Sequence, residues 1–386
     1  MQMKKAIIIG GACGIGLAFA NYISSKGYHV FILDKQQPHI SLPLDKFTYC
    51  YCDLLYYDKK IFEEFASDKH VELLFITAGF GRVIDFDNLY DFEIDTLFNV
   101  NTISAIRIIK AFYNRIMSDE KFMCGIMGSF AGLVNSPLFS VYAATKAAIF
   151  RFIESINTEL KVKNYENRVL NVSPGQLSGT KFNGESQQLN LLGTLPSEIF
   201  EKLSCRCEMY IPDFERTYKN ILDKYQSDPH AFGISSYEYK ISKNRISEAY
   251  SPSIGYLSGT FDLFHIGHLN IIKRAREQCD YLIVGVHPNA KHKGKEEFIP
   301  LAERKSILAS VKYVDEVVDA CKEDSDAWNM FHFSKLFVGS DYRNSERFIE
   351  YENFFENKSV GIVFLPYTDS TSSTQIRQLI EFHNTK

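Results

Sequence analysis

The chain has 386 residues, of which 45% are hydrophobic and 23% charged, with a formal net charge of −4. That length predicts two or three domains with ample material for buried cores, and the slightly acidic balance excludes a polybasic footprint for nucleic acid or an anionic membrane. Eight cysteines, at 13, 50, 52, 124, 205, 207, 279 and 321, form no C-x-x-C pair and no zinc spacing, and no apolar run is long enough to span a bilayer. No metal site and no membrane insertion are expected, no signal peptide precedes the first strand, and a reducing cytoplasm is the expected setting.

In chain order, the first apolar run is Ala6-Ile7-Ile8-Ile9, which reads as a buried parallel strand. It ends in Gly10-Gly11-Ala12-Cys13-Gly14-Ile15-Gly16. A helical pattern follows (Leu17, Phe19, Ala20, Ile23), then the run His29 to Leu33, closing on Asp34. Strand, glycine turn, helix, strand and acidic residue make a dinucleotide-binding unit. The glycines permit the turn and bring a pyrophosphate to the helix N-terminus, and Asp34 holds a ribose 2′-hydroxyl. Further on, Tyr142 and Lys146 stand at i,i+4 on a helix beginning near Ser140, so they share one face. A nearby ammonium and a nicotinamide's positive charge favour phenolate, which predicts a tyrosine pKa lowered from about 10. From Asn183 to Asp228 periodicity weakens, with helix-like stretches at Ser197 to Leu203 and Phe214 to Tyr225 behind Pro196 and Pro212. Residues 240–253, rich in Ser, Lys and Asn, read as a linker.

Residues 1–245 resemble the short-chain dehydrogenase/reductase family at most of its landmarks. IGGACGIG stands where the family has TGxxxGxG, with Ile9 in place of Thr. Cys52-Asp53-Leu54 is similar to the segment that contacts adenine, and Thr77-Ala78-Gly79 to the NAG turn. Asn101 in Asn99-Val100-Asn101 matches the active-site Asn, Ser129 in Gly128-Ser129-Phe130-Ala131-Gly132 the active-site Ser, and Tyr142-x-x-x-Lys146 the Tyr/Lys pair. Ser129 precedes Tyr142 by thirteen residues, the family's own spacing. Pro174-Gly175 falls where the family's PG precedes its nicotinamide contacts, with Thr180 one position late. The resemblance implies that Tyr142 serves as general acid to a carbonyl that receives hydride, that Ser129 holds the carbonyl oxygen and that Asn101 supports a water leading protons away. It assigns the cofactor to Gly10, Gly14, Ile15, Gly16, Asp34, Asp53, Leu54, Ala78, Gly79, Tyr142 and Lys146. Asp34 predicts NADH, and Lys35 beside it leaves NADPH as the alternative.

The second half is organised around Gly259-Thr260-Phe261-Asp262-Leu263-Phe264-His265-Ile266-Gly267-His268. A short apolar run precedes it and an amphipathic segment follows, so two histidines sit at a helix start that can receive an anion. Such a site suits a triphosphate attacked at its α-phosphorus. Residues Ile254 to Ile380 resemble the cytidylyltransferases, nearest to those acting on glycerol 3-phosphate. Six pieces carry the likeness: GTFDLFHIGH, Asp280 to Val286, Glu303-Arg304-Lys305, Val314 to Val318, Phe337 to Asp341, and Thr371 to Ile376. The resemblance implies that CTP, with a Mg²⁺ ion carried by its phosphates, meets Thr260, Phe261, His265, His268, Lys293, Arg304, Asp341, Ser372, Ser373 and Thr374, with Lys295 beside Lys293. Tyr367 and Ser370 replace an Arg and a Gly of the family's terminal segment. That departure bears on CTP against ATP more than on the reaction.

The expected fold is α/β, with two doubly wound parallel-sheet domains: a Rossmann NAD(P)-binding domain at 1–245, a linker at 246–253, and a smaller HxGH nucleotidyltransferase domain at 254–386. Two enzymes on one chain imply consecutive steps. A carbonyl reductase joined to a cytidylyltransferase that works on a phosphate implies a ketose phosphate as substrate. The product would be a CDP-polyol of the CDP-ribitol, CDP-glycerol or CDP-hexitol type, for a capsule or other surface polysaccharide. The competing readings are an adenylyltransferase in the second half, or one half serving only as a nucleotide-binding module. Small molecules are the expected partners, in a homo-oligomer.

Overall fold

The computed structural model describes residues 3–40, 42–180, 182, 187–246, 252–289, 297–343, 345–366 and 375–376. The chain divides into two compact units, Met1–Tyr250 and Ser251–Lys386.

The first unit begins with β1 (Lys4–Ile9), α1 (Gly14–Ser25), β2 (Tyr28–Asp34), β3 (Phe47–Tyr51), α2 (Lys59–Ser67) and β4 (Val71–Ile76). Then come α3 (Asp91–Phe98), α4 (Ser104–Ala111), α5 (Tyr113–Ile116), β5 (Met123–Met127), α6 (Ser140–Val162) and β6 (Val169–Val172). The unit closes with α7 (Leu195–Ser204), β7 (Met209–Tyr210), α8 (Lys219–Ser227) and α9 (Pro229–Ser242). Its seven strands pair in parallel in the order β3-β2-β1-β4-β5-β6-β7. The central strands are unbroken apolar runs because both faces are covered. Ala6 and Ile8 face α1 and α7 through Leu17, Phe19, Ile23 and Ile199, while Ile7 and Ile9 share the opposite core with Phe62, Ile108, Ile149 and Ile153. The strand order turns back between β1 and β4, which opens a crevice at their carboxyl ends.

The second unit runs β8 (Ile254–Gly259), α10 (Ile266–Arg276), β9 (Tyr281–Val286), α11 (Leu301–Ala309), β10 (Glu316–Asp319), α12 (Asp324–Phe331), β11 (Lys335–Gly339), α13 (Glu346–Phe355) and β12 (Gly361–Leu365). Its parallel order is β10-β9-β8-β11-β12, reversing between β8 and β11. One face packs Leu257, Ile272, Leu282 and Leu308, the other Tyr256, Leu336, Phe348 and Phe355. Both sheets are doubly wound, as the alternation of strand and helix signals predicts. Among the described residues, no helix is long and apolar enough to cross a membrane.

The stretch of weak periodicity holds more order than the sequence suggests. α7 starts two residues before Ser197 and takes Pro196 into its first turn. Phe214–Tyr218 is a π-helical turn that leads into α8. α9 runs into the expected linker as far as Ser242, which corrects the reading of 240–253. Asp228 caps it by accepting the N–H groups of His230 and Ala231, with Pro229 at the first position. Its Lys240 is buried, donating to Ser136 Oγ (2.8 Å) and to the Pro137 carbonyl (2.6 Å). A lysine in a polar run looks like linker until the loop that it anchors is known.

Candidate active sites

In the first unit, the glycine turn is forced by close approach. Gly10 has φ +81°, and a Cβ on it would lie 2.4 Å from Ala78 N. A Cβ on Gly16 would lie 2.2 Å from the Gly10 carbonyl oxygen and 2.5 Å from Thr77 Oγ1. Thr77, where the resembled family has Asn, donates to the carbonyls of Ile9 and Gly10 (2.9 and 3.0 Å), which ties β4 to this turn. Cys13 at the start of α1 gives no side-chain cap, so an anion there would meet backbone N–H groups and the positive helix end. Asp34 orients this turn, accepting from Ala12 N–H and Gln36 N–H (3.0 Å each). Asp53 accepts from Leu55 N–H (3.0 Å) and Leu54 is buried beside it. Cys52 N–H donates to the Asp34 carbonyl, so both segments flank one edge of the crevice. The residues suit a dinucleotide.

The catalytic candidates gather at the carboxyl ends of β4 and β5. Ser129 follows β5, in extended backbone (φ −165°, ψ 147°), and its hydroxyl, which accepts from Ala131 N–H (3.2 Å), lies beside the Tyr142 phenol. Lys146, one turn later on α6, donates from Nζ to the Met127 carbonyl (2.8 Å) and stands 5.7 Å from the Tyr142 ring centroid. Asn101 lies in a π-helical turn, Asn99–Ile103, between α3 and α4. Its amide accepts from Phe80 N–H (3.0 Å) and donates to the Phe80 carbonyl (2.9 Å) and Thr145 Oγ1 (3.1 Å). Gly79 closes the set: a Cβ there would sit 3.1 Å from Asn101 Oδ1 and 3.2 Å from Lys146 Nζ.

The chain's own groups do not by themselves give the expected lowering at Tyr142, which also drew on a nicotinamide's positive charge. Burial pushes the Tyr142 phenol up to about 12, against a smaller opposite pull from the Ser129 hydroxyl. The Lys146 ammonium does not offset this, because it points at a carbonyl and burial lowers its own pKa to about 8. Among the chain's own groups, desolvation outweighs the lysine. A phenol held protonated is the form that donates to a carbonyl oxygen.

Other residues at this site carried no recognised signal. Gln187 Oε1 accepts the N–H of Gly14 (3.2 Å), in the turn that begins α1. Phe139 stacks on Tyr142 (4.2 Å between centroids), and Phe182 closes the same aromatic wall (5.3 Å). Gly81, in the loop after β4, lies flat on the Tyr142 ring. Arg82 beside it pairs with Glu93 of α3 through Nε–Oε1 (2.9 Å) and a second nitrogen–Oε2 bond (2.7 Å).

In the second unit, β8 ends in a loop with two left-handed non-glycine residues, Phe261 (φ +52°) and Leu263 (φ +50°). Such strain persists only where surroundings over-determine it. Here the intervening Asp262 is buried and accepts the N–H groups of Phe298 (3.1 Å) and Ile299 (3.0 Å). His265 then caps α10, its Nδ1 accepting from Gly267 N–H (3.0 Å). That bond puts the ring proton of a neutral imidazole on Nε2, and burial holds His265 below the usual imidazole range. His265 and His268 stack at 4.0 Å, with Phe261 and Phe264 packed against His268. Thr260 belongs to the same loop, and the exposed Asp341 lies in the turn after β11, the strand beside β8.

Arg304 is a correction. It was expected at the phosphates, yet it is 1% exposed and donates to four backbone carbonyls: Thr260, Ile299 (2.9 Å), His287 (2.9 Å) and Pro288 (3.0 Å). Four of its five N–H donors go to holding the histidine loop against the end of β9 and the start of α11. Lys293, Lys295, Ser372, Ser373 and Thr374 lie outside the described residues. Among the described residues, no group of three or more His, Cys, Asp or Glu could hold a metal ion.

Two families match. The family described as short chain dehydrogenase matches residues 4–190, and the one described as Cytidylyltransferase-like matches residues 256–379. Glycerol-3-phosphate cytidylyltransferase from Bacillus subtilis is 31% identical over 126 residues, which is 32% of this chain and 92% of that protein. Ethanolamine-phosphate cytidylyltransferase from Arabidopsis thaliana is 34% identical over 137 residues, 33% of this chain, and only 32% of that relative's length is spanned. Among solved structures, a short chain dehydrogenase/reductase from Burkholderia phymatum in complex with NAD is similar with a TM-score of 0.49 at 18% identity, covering 59% of this chain and 96% of that one.

Proposed function

We propose that this chain, whose first unit belongs to the short chain dehydrogenases and whose second belongs to the cytidylyltransferase-like family, is a bifunctional enzyme that converts a ketose phosphate into a CDP-polyol. The observation that carries this reading is the presence of both constellations on one chain: Ser129 beside Tyr142 with Lys146 Nζ 5.7 Å from the Tyr142 ring centroid, and His265 stacked on His268. We assign the reductase to 1–245, the transferase to 254–386 and the linker to 246–253.

In the reductase, Tyr142 donates a proton to the substrate's carbonyl oxygen while Ser129 hydrogen-bonds the same oxygen. A bound NADH supplies the hydride. Asp34, set by its two backbone donors, receives the adenosine ribose hydroxyls and repels a 2′-phosphate, which favours NADH over NADPH. In the transferase, the acceptor's phosphate attacks the α-phosphorus of CTP in line with the leaving pyrophosphate, whose Mg²⁺ travels with the nucleotide. His265 and His268, with the N-terminal N–H groups of α10, stabilise the charge that develops. The relatives' names, cytidylyltransferases for glycerol 3-phosphate and ethanolamine phosphate, support a small phosphomonoester as acceptor. A molecule with a carbonyl and a terminal phosphate serves both sites in either order. The product is a building block for a capsule or other surface polysaccharide, made in the cytoplasm by a homo-oligomer.

The test is incubation with CTP, Mg²⁺, NADH and, in turn, ribulose 5-phosphate, fructose 6-phosphate or dihydroxyacetone phosphate, followed by mass spectrometry. A CDP-linked product two mass units heavier than the CDP-ketose is expected, with NADPH the poorer donor. No CDP product with any candidate overturns the reading, and product from ATP alone moves the second unit to adenylyl transfer.

A further inference from the structure

Beyond β6 lies a residue that no motif marks. Tyr218 ends the π-helical turn before α8 and reaches back to two turns at the reductase crevice. Its ring centroid lies 4.6 Å from that of Phe130, the residue after Ser129. Its phenol oxygen faces the backbone of Gln176. It also covers Gly175 so closely that a Cβ built there would sit 1.7 Å from the oxygen. The Gly175 turn is itself joined to the serine turn, since Phe130 N–H donates to the Pro174 carbonyl (2.9 Å) and Gly128 N–H to the Val172 carbonyl (2.7 Å). Five residues after Gly175, buried Thr180 lies against Gly14 of the glycine turn, 3.8 Å from where a Cβ on that glycine would be. The stretch from Pro174 to Thr180 therefore runs from the catalytic serine to the start of α1, the span a dinucleotide would occupy, and Tyr218 clamps its serine end.

We infer that Tyr218 is a positioning residue of the reductase: seated on Gly175 and packed on Phe130, it fixes the Pro174–Thr180 stretch against the serine turn and so sets the site's affinity for a dinucleotide. This rests on the reductase reading above. Gly175 is then glycine because the phenol takes the space of its side chain. Its φ is not in the left-handed region, so backbone freedom does not require it.

A double-mutant cycle on the full chain separates this from a general packing role, with NADH binding followed by fluorescence and CTP binding by the second unit as a control for intact protein. Tyr218→Phe keeps the ring on Phe130 and loses the phenol oxygen that covers Gly175, and is expected to weaken NADH binding a few-fold. Gly175→Ala drives a methyl into the phenol oxygen and is expected to weaken it at least about tenfold. Gly175→Ala with Tyr218→Ala relieves that collision, and is expected to bind at least about tenfold more tightly than Gly175→Ala alone, within the range of coupling between contacting residues. Gly175→Ala binding as native does, or a double variant no better than Gly175→Ala, overturns the inference. A native chain that binds no NADH overturns the reductase reading instead.

Discussion

Tyr142 and His268 sit in separate units, so their loss should separate the two activities. Tyr142→Phe removes the proton donor and should lower carbonyl reduction roughly a hundred- to ten-thousand-fold while leaving pyrophosphate release from CTP. His268→Ala should do the reverse, and loss of both activities in either folded variant would contradict the assignment. Lys240 gives a prediction about stability. Burial lowers its pKa to about 8, with Arg245 adding to the shift, whereas an unfolded lysine titrates near 10.4. Between those values the unfolded chain binds the extra proton, so stability contributed by this site rises with pH. Below about 8 both states are protonated and the cost of the buried charge is constant. Lys240→Met lacks the transition, so the native chain should gain on the variant between about pH 8 and 10 in parallel thermal melts. A constant difference across that window would show that Lys240 is solvated.

The elements place chemistry through their ends, and the loops between them are fixed by buried polar groups. The β8–α10 loop shows this most fully. Two left-handed residues cost roughly 1–3 kcal/mol each, and Asp262 and Arg304 hold the loop in place with six hydrogen bonds to backbone. Arg304→Met would leave four carbonyls without their charged donor and should destabilise the second unit by at least about 3 kcal/mol, visible as a lower melting temperature with NADH oxidation unchanged. A phosphate ligand would behave otherwise, raising KM for CTP at constant stability. The same logic applies to α9, whose Lys240 holds the loop between Ser129 and Tyr142 by Ser136 and Pro137, with Asn135 donating to the Pro229 carbonyl (2.8 Å).

At the scale of the molecule, each unit has a parallel sheet covered on both faces by its own helices. Neither needs the other to bury its strands. Residues 1–245 expressed alone should therefore bind and oxidise NADH, and residues 254–386 alone should bind CTP, each with a single cooperative melt. Aggregation of either piece would mean that the units complete each other's cores.

The sequence by itself determined both folds and pointed to the residues of the two proposed catalytic sets. Short apolar runs ending in glycine turns and followed by helical patterns read as buried parallel strands feeding helices, and i,i+4 spacing on a helix already puts Tyr142 and Lys146 on one face. What it could not determine is which polar groups face a ligand and which face the backbone. Arg304 in a motif looks like a phosphate ligand, and Lys240 in a polar run looks like linker, until the carbonyls around them are in place. Tyr142's protonation likewise depends on how much burial surrounds the phenol and where Lys146 points, and Gly175's need for glycine depends on a tyrosine forty-three positions away. These are long-range contacts, formed only when separate elements pack, and no local pattern encodes them.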